Sequence, residues 1–338
     1  MVKIKDIAEK AGVSTATVSN VINGNYHKVS QATVEKVRKI IDEIGYSPSA
    51  TARSLASKKS KIIGVVVSNI GDQDNFFSNP HYAHLLALLE KHIRDAGYYM
   101  MLRCVDRCKQ IIPLFSSWNV DGMIFFGTIG SDAEDVKNSV RVPAVFIDTY
   151  ADGQTVTNVG IDDFKGGYLS AKYLIEMGHR EIAFAGPGIH NPGVTGERFR
   201  GFMQACREAG VSMPEDHLFD TMSIYESGVE TGKCVARSWI SFTAVAAMSD
   251  IAAFGIMEGL RLEGKRVPED VSVIGFDDLL ECRYSYPKLT TISQNTEQKA
   301  EKVSRLLFSR IRDEDMDVET VKNDVTVVAR QSVRDLRK

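Results

Sequence analysis

Lys3–Asn23, KIKDIAEKAGVSTATVSNVIN, is the stretch whose reading decides the fold. Ile4, Ile7, Ala8 and Ala11 recur at i, i+3, i+4 and i+7, which predicts a helix with one apolar face. Gly12 ends it, because glycine adopts the left-handed conformation that a sharp helix terminus requires. Ser14 is placed to cap a second helix, with Val18, Val21 and Ile22 on its buried side. Thr15, Ala16, Thr17, Ser19 and Asn20 then project outward. Small hydroxyl and amide side chains of this kind let a helix sink into a DNA major groove and meet base edges. The competing reading is a helical hairpin that merely joins a larger core, and the rest of the chain decides between the two.

Charge is divided unevenly along the 338 residues. Residues 1–60 hold ten Lys/Arg and five Asp/Glu, a net of +5, which leaves the remainder at −8. A small basic head on a large acidic body points to a head that meets a polyanion and a body that does not. The N-terminus has no apolar segment of signal-peptide type and no run reaches membrane-span length, so a cytoplasmic, nucleoid-associated protein without membrane contact is expected. Five scattered cysteines fit reduced thiols rather than a disulfide framework. Cys104 and Cys108 lack a second Cys/His pair nearby, so buried thiols are favoured over a metal site, and no metal or cofactor is expected.

A third helix is predicted from Ser30, its cap, to Ile44, with Val34, Val37, Ile41 and Ile44 as its apolar stripe. Residues 47–60 read as a hinge: Pro48 suits a first helical turn, Ser49–Ala56 is too short to be helical alone, and Leu55 is a lone leucine in a Ser/Ala-rich segment. From Ile62 short apolar strands alternate with amphipathic helices. Strands are predicted at Ile62–Val67, Tyr99–Leu102, Met123–Phe126, Ala144–Ile147, Ile182–Ala185, Ala244–Met248 and Val271–Phe276, with a last one at Val325–Ala329. Helices are predicted at Tyr82–Ala96, Phe164–Met177, Glu197–Ala209, Gly228–Trp239 and Ile251–Leu262. This alternation predicts parallel sheets, and the pattern restarts near Asp162, giving two similar lobes with a ligand site between them at the carboxyl ends of the strands.

The chain resembles bacterial transcriptional repressors of the LacI/GalR type over its whole length. The likeness is carried by IKDIAEKAGVSTATVSNVING at 4–24, GYSPSATARSLASKKSKIIGVVV at 45–67, NPHYAHLLALLE at 79–90, VDGMIF at 120–125, MGHREIAFAGP at 177–187, ERFRGFMQA at 197–205, RVPEDVSVIGFDD at 266–278 and LTTISQ at 289–294. It implies an all-α helix-turn-helix head (1–46), a hinge helix or linker (47–60) and an α/β body. The body would be two Rossmann-like parallel-sheet lobes of the type I periplasmic-binding-protein kind, one from 61–160 with 292–323 and one from 161–291 with 324–338. It further implies a homodimer on a double-stranded, pseudo-palindromic operator.

Carried over by position, Thr15, Ala16 and Asn20 reach bases, Thr17, Ser19 and Lys58 reach phosphates, and Leu55 wedges into the minor groove. In the cleft the resemblance points to Asp148, Arg198 and Asp277, an arginine between two carboxylates that suits vicinal hydroxyls, with His81, Tyr82 and Ser249 completing the site. The implied effector is a sugar or sugar derivative. This chain departs from the common pattern at His81, an aromatic position in many relatives, at Ser249, where many have asparagine, and at Thr149, where many have a basic or aromatic residue. No heptad tail follows the last strand to support a tetramer.

Two other classes compete. A solute receptor of the same body fold is disfavoured by the basic head and the missing signal segment. An α/β enzyme is disfavoured because the chain has no G-x-S-x-G elbow, no phosphate loop and no zinc-spaced His/Cys cluster; no catalytic residue is assigned.

Overall fold

The computed structural model describes residues 3–22, 24–46, 59–68, 76–114, 119–128, 130–150, 156–188, 191, 193–312 and 317–338. The chain divides into two units, Met1–Lys61 and Ile62–Lys338.

The head contains α1 (Ile4–Ala11), α2 (Thr15–Ile22) and α3 (Gln31–Ile44). Gly12 and Gly45 close α1 and α3 in the left-handed region, at φ 66° and 62°. Ser14 caps α2 by accepting from the Thr17 amide at 3.1 Å. Ser30 caps α3 in the same way. Ile7, Ala8, Ala11, Val18, Val21, Val34, Val37 and Ile40 form one small core. Ile40, rather than Ile41, is the third buried residue of α3; Ile41, Ile44 and Ile22 pack at the margin of the core. The stripe runs 34, 37, 40, a spacing that follows the i+3 ridge facing α1 and α2.

Among the described residues the body has two six-stranded sheets. The first runs β11-β5-β4-β3-β1-β2 and is parallel throughout, with β1 (Ile62–Ser68), β2 (Tyr99–Val105), β3 (Gly122–Phe126), β4 (Ala144–Ile147), β5 (Asn158–Ile161) and β11 (Thr320–Asn323). The second runs β12-β10-β9-β8-β6-β7, with β6 (Ile182–Gly186), β7 (Leu218–Asp220), β8 (Ala244–Ala247), β9 (Ser272–Asp277), β10 (Thr290–Ser293) and β12 (Thr326–Val328). The β10–β12 pairing is antiparallel and the other pairings of the described strands are parallel.

Helices cover both faces of each sheet, as its two-sided apolar strands require. The first sheet packs α4 (Pro80–Asp95) and α10 (Thr296–Ile311) through Leu85, Leu89, Val303 and Leu307 on one face. Its other face packs Ala133 and Val136 of α5 (Gly130–Ser139). The second sheet packs α6 (Asp163–Glu176) and α7 (Val194–Glu208) on one face and α8 (Tyr225–Arg237) and α9 (Asp250–Leu262) on the other.

The chain crosses between the lobes three times: after β5, between β10 and α10, and between β11 and β12. Two expected boundaries shift slightly. Strand pairing keeps residues to Ile161 in the first lobe, and keeps Thr290–Ser293 in the second, so the second crossing follows 293 rather than 291. The last strand is shorter than expected, Thr326–Val328. Cys104 is exposed, against the expectation of two buried thiols, because β2 is an edge strand; Cys108 is buried. Among the described residues no helix is long and apolar enough to cross a membrane.

Candidate functional site

The head offers α2. Thr15 and Ala16 are exposed at its start, and Thr17, Ser19 and Asn20 are half-buried along it. The Thr17 hydroxyl lies 2.9 Å from that of Ser14, so the cap and the first turn of the presented helix form one hydrogen-bonded unit. Tyr26, after the helix, is held by Arg38, whose Nη2 donates to its hydroxyl at 2.6 Å and whose guanidinium sits 5.0 Å from its ring centroid. Leu55 and Lys58 lie outside the described residues.

The cleft is built where strands of both sheets end. Asp148 follows β4 and Asp277 ends β9. Both have positive φ, 51° and 125°, as does Asp278 at 58°. Non-glycine residues are rarely held there, and such positions concentrate at functional sites. Arg198, in the second turn of α7, is 7% exposed. Its Nε donates to Asp163 Oδ1 at 2.8 Å, its Nη1 donates to the Met248 carbonyl at 2.7 Å, and its plane stacks 3.6 Å from the Phe276 centroid.

This corrects the expected arrangement of one arginine between Asp148 and Asp277. The direct partner of Arg198 is Asp163, whose second oxygen accepts from the Tyr150 hydroxyl at 2.5 Å. Asp148 is instead paired with Lys299, whose Nζ lies 2.9 Å from both carboxylate oxygens and 2.9 Å from Gln294 Oε1. Gln294 Nε2 donates in turn to Asp277 Oδ1 at 2.5 Å. A continuous chain of polar contacts, Asp148–Lys299–Gln294–Asp277, thus links the lobes beside the Tyr150–Asp163–Arg198 chain.

His81 and Tyr82, in the first turn of α4, complete the group. Tyr82 packs edge-on to Phe126, with centroids 5.1 Å apart. Burial, then the carboxylates of Asp277 and Asp148, push its phenol up to about 12. Burial, with Lys299 and Arg198 adding to it, holds the His81 imidazole well below its ordinary range, so it is neutral. Burial raises Asp163, against the pull of Arg198, and pushes Asp277 up to about 8. Arg198 is held above its usual value: burial opposes its charge, and Asp163 and Asp277 outweigh that opposition. The Ser249 hydroxyl caps α9, accepting from the Ala252 amide at 3.3 Å; the neighbouring Met248 carbonyl is the group that reaches Arg198. Thr149 is buried, its amide donating to Asn158 Oδ1 at 3.1 Å.

Close helix packing positions the arginine–aspartate pair. A Cβ at Gly167 of α6 would lie 1.8 Å from the Arg198 carbonyl oxygen, and one at Gly201 of α7 would lie 1.8 Å from that of Phe164. Two facing glycines let the helix bearing Asp163 touch the helix bearing Arg198 backbone to backbone.

Asp163, Lys299, Gln294 and Tyr150 were not predicted. Lys299 left a readable signal: with Val303 and Leu306 it stands at i, i+4, i+7, so it extends the buried stripe of α10 by one turn. Gln294 ends the LTTISQ segment. Asp163 left no such signal, since it looks like an ordinary first-turn acid after the cap Asp162.

A helix-turn-helix head joined to a two-lobed body with a polar cleft defines a ligand-binding transcriptional regulator. Residues 3–49 match bacterial regulatory proteins of the lacI family, and 171–333 match a periplasmic binding protein-like domain. The chain is 34% identical over 341 residues to the HTH-type transcriptional repressor PurR of Mannheimia succiniciproducens, covering 99% of both. It is 35% identical over 346 residues to the PurR of Yersinia pestis bv. Antiqua, covering 99% of this chain and 98% of that one. Among solved structures it is similar to the lac repressor dimer bound to operator and the anti-inducer ONPF, with a TM-score of 0.87 and 26% identity over 98% of this chain and 99% of that one. It is also similar to the transcriptional regulator CelR–cellobiose complex, with a TM-score of 0.73 and 28% identity over 98% of this chain and 100% of that one. The chain belongs to the LacI family. It is a DNA-binding transcriptional repressor with a ligand-binding domain, and its relatives are repressors rather than enzymes.

Proposed function

We propose that this repressor binds a pseudo-palindromic operator as a homodimer and is switched by a hydroxyl-rich small molecule, a sugar or sugar derivative, in the cleft. The observation that carries the ligand reading is the convergence of Asp148, Asp277, Arg198 and Lys299 at the carboxyl ends of two facing sheets. Carboxylates accept from hydroxyls and the cations donate to them, so vicinal diols match the set. A planar ligand such as a purine base would want an open aromatic face. Arg198 covers one face of Phe276, which leaves Tyr82 and His81 as the aromatic groups of the site, so purine bases belong in the test beside the sugars.

Thr15, Ala16 and Asn20 would read base edges, with Asn20 suited to adenine and Ala16 to a thymine methyl. Thr17, Ser19 and Lys58 would hold phosphates, and Leu55 would open the central minor-groove step. The homodimer reading is supported by Tyr225 and Tyr286, exposed aromatics that line a groove of about 800 Å³ together with Phe254, Met257 and Pro287 of the second lobe. Exposed aromatic side chains at a groove suit association. Cytoplasmic residence follows from the same function.

The test is a thermal-shift screen of the full-length protein against sugars, sugar phosphates, nucleosides and purine bases, followed by operator binding with each hit. A ligand specific for the folded state raises the melting temperature by mass action. A neutral sugar that stabilises the protein and changes operator affinity is the expected result. Stabilisation by a purine base alone would replace the sugar assignment, and no duplex enriched from random DNA would overturn the repressor–operator reading.

A further inference from the structure

We propose that Asp163 sets the charge selectivity of the cleft: by pairing with Arg198 it reserves the site for uncharged, hydroxyl-bearing ligands and excludes anions. This rests on the reading that the effector enters between the lobes.

The buried cations of the cleft are matched one to one. Lys299, 0% exposed, has both oxygens of Asp148 at 2.9 Å, and Arg198 has Asp163 Oδ1 at 2.8 Å. Asp277 adds a third carboxyl, bonded to Gln294. Both oxygens of Asp163 accept hydrogen bonds, from Arg198 and from Tyr150, as a carboxylate does, so these five groups carry no surplus positive charge, whether Asp277 is ionised or protonated. Among the described residues the other nearby titratable groups add no positive charge: buried Asp250, which acts on Asp277, is a further acid, held by the Leu279 amide, Thr291 and Cys282. His81 is neutral, Tyr82 and Tyr150 are protonated phenols, and the exposed His84 faces Glu297 at 3.6 Å.

Asp163 is not a bystander that an incoming anion could push aside. Its side chain is 1% exposed, and Tyr150 from the first lobe holds its second oxygen. Arg198 is fixed from three sides, by Asp163, by the Met248 carbonyl and by the face of Phe276. Its remaining N–H groups can donate to a hydroxyl oxygen. A phosphate or carboxylate approaching the same groups would confront the Asp163 carboxylate in a poorly solvated site, where like charges repel strongly. Without Asp163 the same guanidinium would be an unmatched buried cation, the usual receptor for a phosphate or carboxylate.

The experiment uses the full-length protein and inorganic phosphate as the probe, with thermal shift and calorimetry against chloride at matched ionic strength. The wild type is expected to show no phosphate-specific stabilisation. D163N is expected to gain a saturable response with an affinity at least tenfold above the wild type, and D163N/R198Q to lose it, which separates the cleft from anion sites on the basic head. A D163N protein with no gain, or a gain that survives R198Q, overturns the proposal. If D163N does not fold, the wild type decides: saturable phosphate stabilisation that R198Q abolishes overturns it, and its absence supports it. None of these arms needs the effector, so failure of the sugar screen would defeat the functional reading while leaving the role of Asp163 separately tested.

Discussion

Replacing Lys299 by methionine removes an ammonium that makes three contacts of 2.9 Å, two to Asp148 and one to Gln294. The stem volume is kept, so the loss is electrostatic rather than a cavity. Removing one partner of a buried ion pair costs about 3–5 kcal/mol, because the other charge stays behind without compensation. Lys299 is fully buried, whereas the Asp148 side chain keeps 15% of its exposure and some access to water. The expected loss is therefore at the lower end, about 3 kcal/mol. D148N should cost at least as much, since it strands the fully buried ammonium; asparagine tolerates the left-handed backbone at 148, so no strain is added. The double variant K299M/D148N should lose less than the sum by about 2 kcal/mol, as expected for residues sharing one network. Urea unfolding of the full-length variants, with slopes compared to check that the transition is unchanged, measures both numbers. A K299M protein within about 1 kcal/mol of the wild type, or a strictly additive double variant, would refute the claim that this pair is a buried, uncompensated-on-mutation unit.

Other outcomes follow from the same geometry. G201A drives a Cβ to 1.8 Å from the Phe164 carbonyl, a backbone atom that cannot rotate away. It should cost about 3 kcal/mol by overpacking and weaken effector binding as α6 and α7 separate, seen as a lower melting temperature and a higher Kd. S14A removes the cap that receives the Thr17 amide and should destabilise the head by about 1 kcal/mol, read as weaker operator binding with unchanged effector binding. Burial pushes Asp277 up to about 8, so between the ordinary carboxyl range near 4 and pH 8 the folded protein binds more protons than the unfolded chain. Stability should fall as pH rises through that window and level off above it, and D277N should flatten the profile; a profile that rises from pH 5 to 8 in the wild type and is unchanged in D277N would contradict this. N20A should cost about 1–3 kcal/mol of specific operator binding and little non-specific binding, whereas equal losses on both would remove Asn20 from base reading.

Periodicity and capping made most of the fold readable. The i, i+3, i+4 pattern and Ser14 located the head helices, and the short two-sided apolar runs located the central strands β1, β3, β6, β8 and β9 to within about two residues at their ends. What escaped were elements whose residues lack a period. β5, Asn158–Ile161, is four residues long, and β11 carries Lys322 on an exposed edge. The helix α10 was hidden by its charged sequence, TEQKAEKVSRLLFSRI, in which Lys299 counts as polar although it is fully buried. The cleft was legible as a set of members but not as a set of partners. Asp148, Arg198 and Asp277 are implied by the family resemblance, yet which carboxylate meets which cation depends on the crossing of α6 and α7 and on the return of the chain into α10, long-range facts that no local pattern encodes.

We propose that occupation of this cleft and binding of DNA by α2 are energetically coupled. Measuring operator affinity by fluorescence anisotropy, with and without the saturating ligand identified by the screen, in the wild type and in D277A, tests it most directly. Coupling of about 1–3 kcal/mol predicts a change in operator Kd of roughly 5- to 150-fold in the wild type, none in D277A, and the same factor when effector affinity is measured with and without operator. A ligand that binds the cleft with full occupancy and leaves the wild-type operator Kd unchanged would contradict the account.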